Sequence, residues 1–291
     1  MMEGMDSNNL QAGTVAVVGM GLIGGSLSLR LRETGVAKRI LGVDTDAGHA
    51  RKALELGLAD EMLDLDTAVG RAEAIFIAIP VDSAVRLLPH VLDKAEGRIV
   101  VDLGSTKADI AAAAAGHPLR GRFVASHPMW GTEYSGPEAA VAGAFRDKAV
   151  ILCNLAESDP DAAEWTRGVF ETIGMRIIEM DAVAHDIHAA YVSHISHITS
   201  FALANTVLAK EREDEAIFGL ASAGFESTVR LAKSNPDMWL PILRQNRDNV
   251  LDVLNEHITQ LRQFKSCLEK ENWDYLRELM KDANRIRRIL G

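Results

Sequence analysis

Short runs dense in valine, isoleucine, leucine and alanine recur from about residue 14 to residue 180: TVAVVG, RILGVD, AIFIAIPV, RIVVDLGS, RFVASH, AVILCN and MRIIEM. Longer segments of helical pattern separate them. That alternation predicts βαβ units and a mainly parallel, doubly wound sheet with helices on both faces. After Asp181 the rhythm stops, and long helical stretches are expected over 185–210, 214–232, 238–268 and 271–290, with Pro236 and Pro241 as the internal breakers. The expected organisation is therefore an α/β domain over 13–180 followed by an all-helical domain over 181–291. No Gly/Ser linker separates the two, no internal repeat is visible, and the alanine run 111–115 predicts a tightly packed helix face.

The first strand and helix carry chemistry. In TVAVVGMGLIGGSLSLRLRE, Gly19, Gly21 and Gly24 form GxGxxG between a predicted strand and a predicted helix, with Leu22 and Ile23 in the intervening positions. The first glycine allows the tight turn, the second lets main-chain amides approach a pyrophosphate, and the third lets helix and strand pack closely. The next strand ends in Asp44, 20 residues after Gly24, where a carboxylate accepts hydrogen bonds from ribose hydroxyls. Together these predict a Rossmann-type domain that binds a dinucleotide through Gly19, Gly21, Leu22, Ile23, Gly24 and Asp44. A carboxylate repels a 2′-phosphate, so the expected cofactor is NAD rather than NADP. The single fingerprint and the short chain disfavour FAD.

Composition narrows the partners. The chain has 291 residues, 47% hydrophobic and 25% charged, with a net charge of −10. That balance argues against nucleic-acid or anionic-membrane binding, and any site for an anion must be built from a few local cations. Cys153 and Cys267 stand far apart outside any CxxC pattern, which predicts neither a disulfide framework nor zinc. The N-terminus is acidic and polar rather than basic and then apolar, and no apolar run approaches the roughly 18 residues of a membrane span. A cytoplasmic location is expected.

Ligands bind beyond the carboxyl ends of strands in doubly wound sheets, and Ser105 and His127 both stand at such ends. The imidazole of His127, with an unperturbed pKa near 6.5, suits a base at neutral pH, and an acid limb near that value is the expected signature. Pro128 stiffens the backbone just after it. Ser105 fits a catalytic hydroxyl, an N-cap for the helix beginning near Lys107, or both. The segment AHDIHAAYVSHISHITSFALA holds His185, His188, His194 and His197. At about 100° per residue these cannot all converge on a metal, since His188 and His197 lie on opposite faces, while His194 and His197 fall within about 60° of each other. No metal site is expected. His197 is the better candidate for a substrate contact, and His194 for a buried or interfacial hydrogen bond. Arg230, Lys233 and Arg244 are candidate anion anchors, Lys233 and Arg244 being solvated by default, and Trp239 belongs by default to a core or interface.

Taken together, GMGLIGGS, VDLGSTK, SHPMWGTEYSG, HDIHAAYVSHISHITSFALA and STVRLAKSNPDMW, spread over about 13–262, resemble the prephenate/arogenate dehydrogenase family of tyrosine biosynthesis. The resemblance implies NAD(P)-dependent oxidative decarboxylation of prephenate, a dianion, to 4-hydroxyphenylpyruvate, and a helical domain that forms a homodimer. By motif, His127 matches the catalytic histidine and Ser105 its partner at the ring hydroxyl. His197 matches a second active-site histidine, Arg230 the arginine that holds a substrate carboxylate, and Trp239 a tryptophan near the pocket. The chain departs from the family's usual GFRD or GFKD by having Gly224, Phe225, Glu226 and Ser227, which leaves the preference for prephenate or the amine-bearing arogenate open. No room is expected before residue 13 or after 291 for the regulatory or chorismate mutase domains of some members. Two other readings remain. The β-hydroxyacid dehydrogenase and imine reductase group joins similar domains, but its hydroxyacid dehydrogenases typically carry a catalytic lysine on the first long helix of the second domain, and residues 182–209 contain no lysine. A non-enzymatic NAD-binding sensor would need no His/Ser pair at the strand ends.

Overall fold

The computed structural model describes residues 12–211 and 218–290. Residues 1–11, with the polar N-terminus, residues 212–217, where the helix expected over 214–232 begins, and Gly291 lie outside the described residues. Two compact units are present, 1–246 and 247–291.

The first unit is built on one sheet of eight strands, β1 (Ala12–Val18), β2 (Ala37–Val43), β3 (Glu61–Met62), β4 (Ala74–Ile77), β5 (Ile99–Asp102), β6 (Phe123–Pro128), β7 (Ala149–Cys153) and β8 (Arg176–Met180). Their order is β3-β2-β1-β4-β5-β6-β7-β8. Every neighbouring pair is parallel except β6 and β7. Each apolar run of the sequence contains one of these strands. The exception is β3, whose two residues are too few to show any period.

Side chains alternate between two apolar layers, as a pleated strand requires. Val15, Val17, Phe76, Val101, Val124, Val150 and Leu152 enter one layer, and Ala16, Val18, Ile75, Ile77, Val100, Phe123 and Ile151 the other. The first layer is covered by helices α1 (Leu22–Glu33) and α2 (Ala47–Glu55) and by the later helix at Pro160–Thr172, through Leu27, Leu31, Ala53, Val169 and Phe170. The second is covered by α3 (Leu65–Arg71), α4 (Val81–Ala95) and α5 (Ala108–Ala114). The alanine run lies in and just beyond α5, with Ala111 and Ala114 buried, and its small side chains let α4 and the helix that follows β8 approach it closely. The chain leaves β1 toward β2 and β3 and then jumps back to β4, which opens a crevice beyond the carboxyl ends of β1 and β4.

The helix at Pro160–Thr172 is α6, and α7 (Ala182–Ala189) follows β8. A π-helical turn (Ala190–His194) joins α7 to α8 (Ile195–Glu211), so the helix expected over 185–210 is continuous but not regular. Then come α9 (Ala223–Val229), a 3-10 turn over Arg230–Lys233 and α10 (Pro236–Gln245). The single helix expected over 238–268 is two. It starts earlier, because Asn235 caps it and Pro236 occupies the first turn, where a missing N–H costs nothing. It stops at Asn246, a buried residue whose side-chain amide donates to the Asp186 carbonyl and to His194. The second unit comprises α11 (Arg247–Glu269), α12 (Trp273–Ala283) and α13 (Arg287–Leu290).

Candidate active site

Three glycines shape the loop after β1. Gly19 has φ +96°, and a Cβ there would lie 2.4 Å from the Ala78 carbonyl oxygen at the end of β4. A Cβ on Gly24 would lie 1.8 Å from the Gly19 carbonyl oxygen and 3.1 Å from Val17, so glycine alone lets α1 sit this close to β1. A Cβ on Gly21 would meet nothing within 4 Å. Gly21 is the N-cap of α1, contributes no side-chain cap, and is followed by a first turn without acidic residues. The amides of that turn and the helix dipole therefore face open space, an arrangement suited to a pyrophosphate. Leu22 and Ile23 offer main-chain amides, while the Ile23 side chain packs against the first apolar layer. Asp44, just past β2, accepts the Met20 and Asp46 amides at 2.9 Å each, one on each carboxylate oxygen. Each oxygen keeps lone-pair capacity for a ribose hydroxyl. The residues present fit NAD.

The ends of β5 and β6 are held from beneath. The Lys107 side chain is 0% exposed, and its ammonium donates to the Asp102 carboxylate and to the Ser126 carbonyl at 2.7 Å. Ser126 Oγ donates in turn to the Asp102 carbonyl at 2.6 Å. Burial pushes the Asp102 carboxyl up from its ordinary range, and Lys107 pulls it back. His127 follows directly, 9% exposed. Its Nδ1 lies 2.8 Å from His185 Nε2 on α7, with the two rings edge to face. Among the described residues nothing hydrogen-bonds its Nε2. Burial pushes the His127 pKa well below 6.5, and positive charge on His185, Lys107 or His194 acts the same way. The expectation of a base titrating near the ordinary histidine value is corrected accordingly.

Ser105 is half-buried in the β5–α5 loop. It does not cap α5. The amides of Lys107 and Ala108 are taken at 2.8 and 2.9 Å by the two carboxylate oxygens of Asp186, which reaches across from α7. Thr106 Oγ1 ties the same loop to Gln245 on α10 at 2.5 Å. Sequence reasoning missed His185, Asp186, Lys107 and Asp102. The usable signals were a His-Asp pair opening the first helix after β8 and an acidic residue ending the otherwise apolar RIVVD run.

On the helical side, His197 stacks on Trp239 with ring centroids 3.6 Å apart, and its Nδ1 donates to the Ser193 carbonyl. Trp239 is 7% exposed, packs on Val81 at the start of α4, and has an indole N–H without an acceptor. His194 is buried, edge-on to Trp239, with a pKa lowered to about 4 by burial. His188 is exposed. Arg230 is held by its flanks, since Ser200 Oγ on α8 donates to the Thr228 carbonyl and accepts the Ala232 amide. Its guanidinium pairs with Glu133, from the loop after His127, at 2.8 Å. Glu133 is a further residue the sequence did not announce. Lys233 pairs with Glu226 at 3.5 Å, and Arg244 is exposed. Among the described residues, no group of three or more His, Cys, Asp or Glu is arranged to hold a metal ion, and no helix is long and apolar enough to cross a membrane.

Comparison with known families agrees with this geometry. The family described as "Prephenate dehydrogenase, nucleotide-binding domain" matches residues 27–179, and "Prephenate dehydrogenase, dimerization domain" matches residues 181–282. The chain belongs to the prephenate dehydrogenase family. It is similar to the prephenate dehydrogenase of Bacillus subtilis, with 30% identity over 283 residues, 96% of this chain and 76% of that protein. Its fold is similar to that of the A. aeolicus prephenate dehydrogenase solved with hydroxyphenyl propionate and NAD+, with TM-score 0.83 and 29% identity over 96% of this chain and 98% of that one. It is also similar to Synechocystis arogenate dehydrogenase, with TM-score 0.76 and 29% identity over 96% of this chain and 100% of that one. The protein is an NAD-dependent dehydrogenase of the prephenate dehydrogenase family, with a Rossmann-type nucleotide-binding domain and a helical dimerisation domain.

Because Lys107 and Asp102 are buried together, removing one partner strands a charge. Lys107→Met is expected to cost about 3–5 kcal/mol of stability in urea unfolding, and Lys107→Met with Asp102→Asn to recover much of it.

Proposed function

We propose that this family member carries out the NAD-dependent oxidative decarboxylation of prephenate to 4-hydroxyphenylpyruvate, with His127 as the base. The observation that carries the reading is the placement of His127 at the end of β6, with Nδ1 engaged by His185 and Nε2 unbonded. Bound NAD supplies the hydride acceptor. His127 Nε2 accepts the ring hydroxyl proton as the ring carbon gives up hydride and becomes a carbonyl. The bond to the para carboxylate then breaks, its electron pair enters the ring, and carbon dioxide leaves. The phenolate so formed takes the proton back from His127, leaving the base as it began. Ser105, free of any capping duty, stands as the hydroxyl partner at the same oxygen. Arg230, with four of its five N–H donors beyond the Glu133 contact, holds a substrate carboxylate. His197 and the unsatisfied indole N–H of Trp239 complete the substrate side.

One observation favours arogenate as a second reading. Glu133 beside Arg230 and Glu226 beside Lys233 put carboxylates where an ammonium would be welcome. A panel of prephenate and arogenate with NAD and NADP decides between them, and failure to reduce NAD with either would overturn the proposal.

We also propose that the functional halves divide at 180/181, where the two family matches meet, giving 13–180 for the cofactor and 181–291 for substrate and dimerisation. The buried, unpaired Cys153 and Cys267 suit a reducing, cytoplasmic setting. A homodimer is supported by exposed apolar side chains, Val183, Ile187 and Val192 in the first unit and Leu261, Trp273 and Met280 in the second. Light scattering is expected to give twice the chain mass, and a stable, active monomer would remove this part of the proposal.

His127→Asn is expected to lower kcat by about 10²–10⁴ while NAD affinity stays unchanged. A protonated imidazole cannot accept the hydroxyl proton, so the wild-type rate falls as pH drops through the His127 pKa. Because burial depresses that pKa, the limb lies below the ordinary histidine range, and it disappears in the variant. Arg230→Ala acts chiefly on prephenate KM, by about 1.5–3 kcal/mol for a lost charge-assisted contact. Near-normal kcat in the first variant, or unchanged KM in the second, would reassign the residue.

A further inference from the structure

We propose that His185 and Asp186 are positioning residues that fix the tautomer of His127, leaving its Nε2 bare and able to accept a proton. The inference deepens the reading of His127 as the base and rests on it.

The argument is one of donors and acceptors. Asp186 Oδ1 accepts the Lys107 amide at 2.8 Å, and Oδ2 accepts the Ala108 amide at 2.9 Å. A carboxylate engaged in this way has no proton to give, so the 2.8 Å contact between Oδ1 and His185 Nδ1 requires the imidazole to donate. A neutral ring with its proton on Nδ1 has a lone pair on Nε2. The 2.8 Å contact from that Nε2 to His127 Nδ1 therefore requires His127 to donate in turn. His127 then carries its proton on Nδ1, and its Nε2 is the free acceptor. Each ring's outer hydrogen bond sets the tautomer of the next. The opposite order would put a proton on His127 Nε2, where it could only donate to the substrate hydroxyl.

The surroundings protect this order. His127, His185 and Asp186 are all buried, so water does not supply a competing donor. The other charged or titratable groups near His127 are Lys107, committed to Asp102 and the Ser126 carbonyl, and His194, whose Nδ1 accepts from Asn246. Asn246 also donates to the Asp186 main-chain carbonyl, which anchors the residue at the end of the chain of bonds. When His127 Nε2 takes the hydroxyl proton, the imidazolium keeps its Nδ1 proton on His185, and no proton needs to leave the relay. Asp186 thereby serves both candidates at the strand ends, since the carboxylate that orients His127 through His185 also relieves Ser105 of capping α5.

The test reads the tautomer directly. Full-length protein labelled with 15N-histidine, with the His127 signals assigned by their loss in His127→Asn, is expected to show the proton on Nδ1 of His127. In His185→Phe the free-imidazole preference for Nε2–H should return. The same variant should lose kcat by about 10- to 100-fold with prephenate KM and NAD affinity kept. In His185→Gln the side-chain amide can donate to Asp186 and accept from His127, so both the tautomer and most of kcat should be restored. A wild-type His127 protonated on Nε2 would overturn the inference even if His185→Phe fails to fold. So would full kcat in His185→Phe, or a loss that His185→Gln does not rescue. The tautomer is measured without turnover, so these outcomes are separate from those of His127→Asn kinetics, which test the base itself.

Discussion

A single buried lysine, Lys107, whose side chain has no exposed surface, joins three segments at one point. The side chain of Lys107 reaches down to Asp102 at the end of β5 and to the Ser126 carbonyl in β6, while its own amide is held by Asp186 from α7. Withdrawing a lysine from water costs several kcal/mol, which only a carboxylate and a well-placed carbonyl can offset. The return is geometric. The ends of β5 and β6 cannot shift independently, and the residue after Ser126 is His127. The β5–β6 ladder ends at Asp102 and Ala125, while His127 stays paired with Ile151 of β7, and beyond that ladder the two strand ends are tied by a polar cluster closed on itself by Ser126 Oγ and the Asp102 carbonyl.

The acidic chain handles an anionic cofactor and an anionic substrate by local means. At α1 the device is an omission, with no side-chain cap and no acid in the first turn, so the helix amides stay available. At Arg230, the proposed carboxylate anchor, Glu133 is a counterweight that holds the guanidinium in place and reduces the local charge. Neither depends on the overall sign of the protein, and both act over a few ångströms, where screening by salt is weak.

The strand-end positions of the glycine loop, Asp44 and His127 were legible in the sequence because each is a local pattern joined to a strand end. The seven apolar runs were legible because buried parallel strands are continuously apolar. Other features were hidden for separate reasons. The two residues of β3 carry no period. The break at Asn246 shows neither proline nor glycine, and arises because its side chain is drawn to Asp186 and His194 from a distant part of the chain. His185 and Glu133 act through partners 58 and 97 residues away, and Ser105 lost its expected cap to a residue 79 positions beyond Lys107. Such pairings follow from topology, which a single sequence states only after it has folded.

The π-helical turn at Ala190–His194 also escaped an argument made at constant angle per residue. In a regular helix His185 and His197 would stand about 120° apart, whereas one extra residue in a wide turn brings them to within about 20°. His185 faces the nucleotide-binding half and His197 stacks on Trp239, so the wide turn aligns the two ends of the site. By the same arithmetic a chain one residue shorter would reach the same phase as a regular helix, eleven steps of about 100°, so the wide turn is how this chain carries an extra residue while keeping the two histidines on one face.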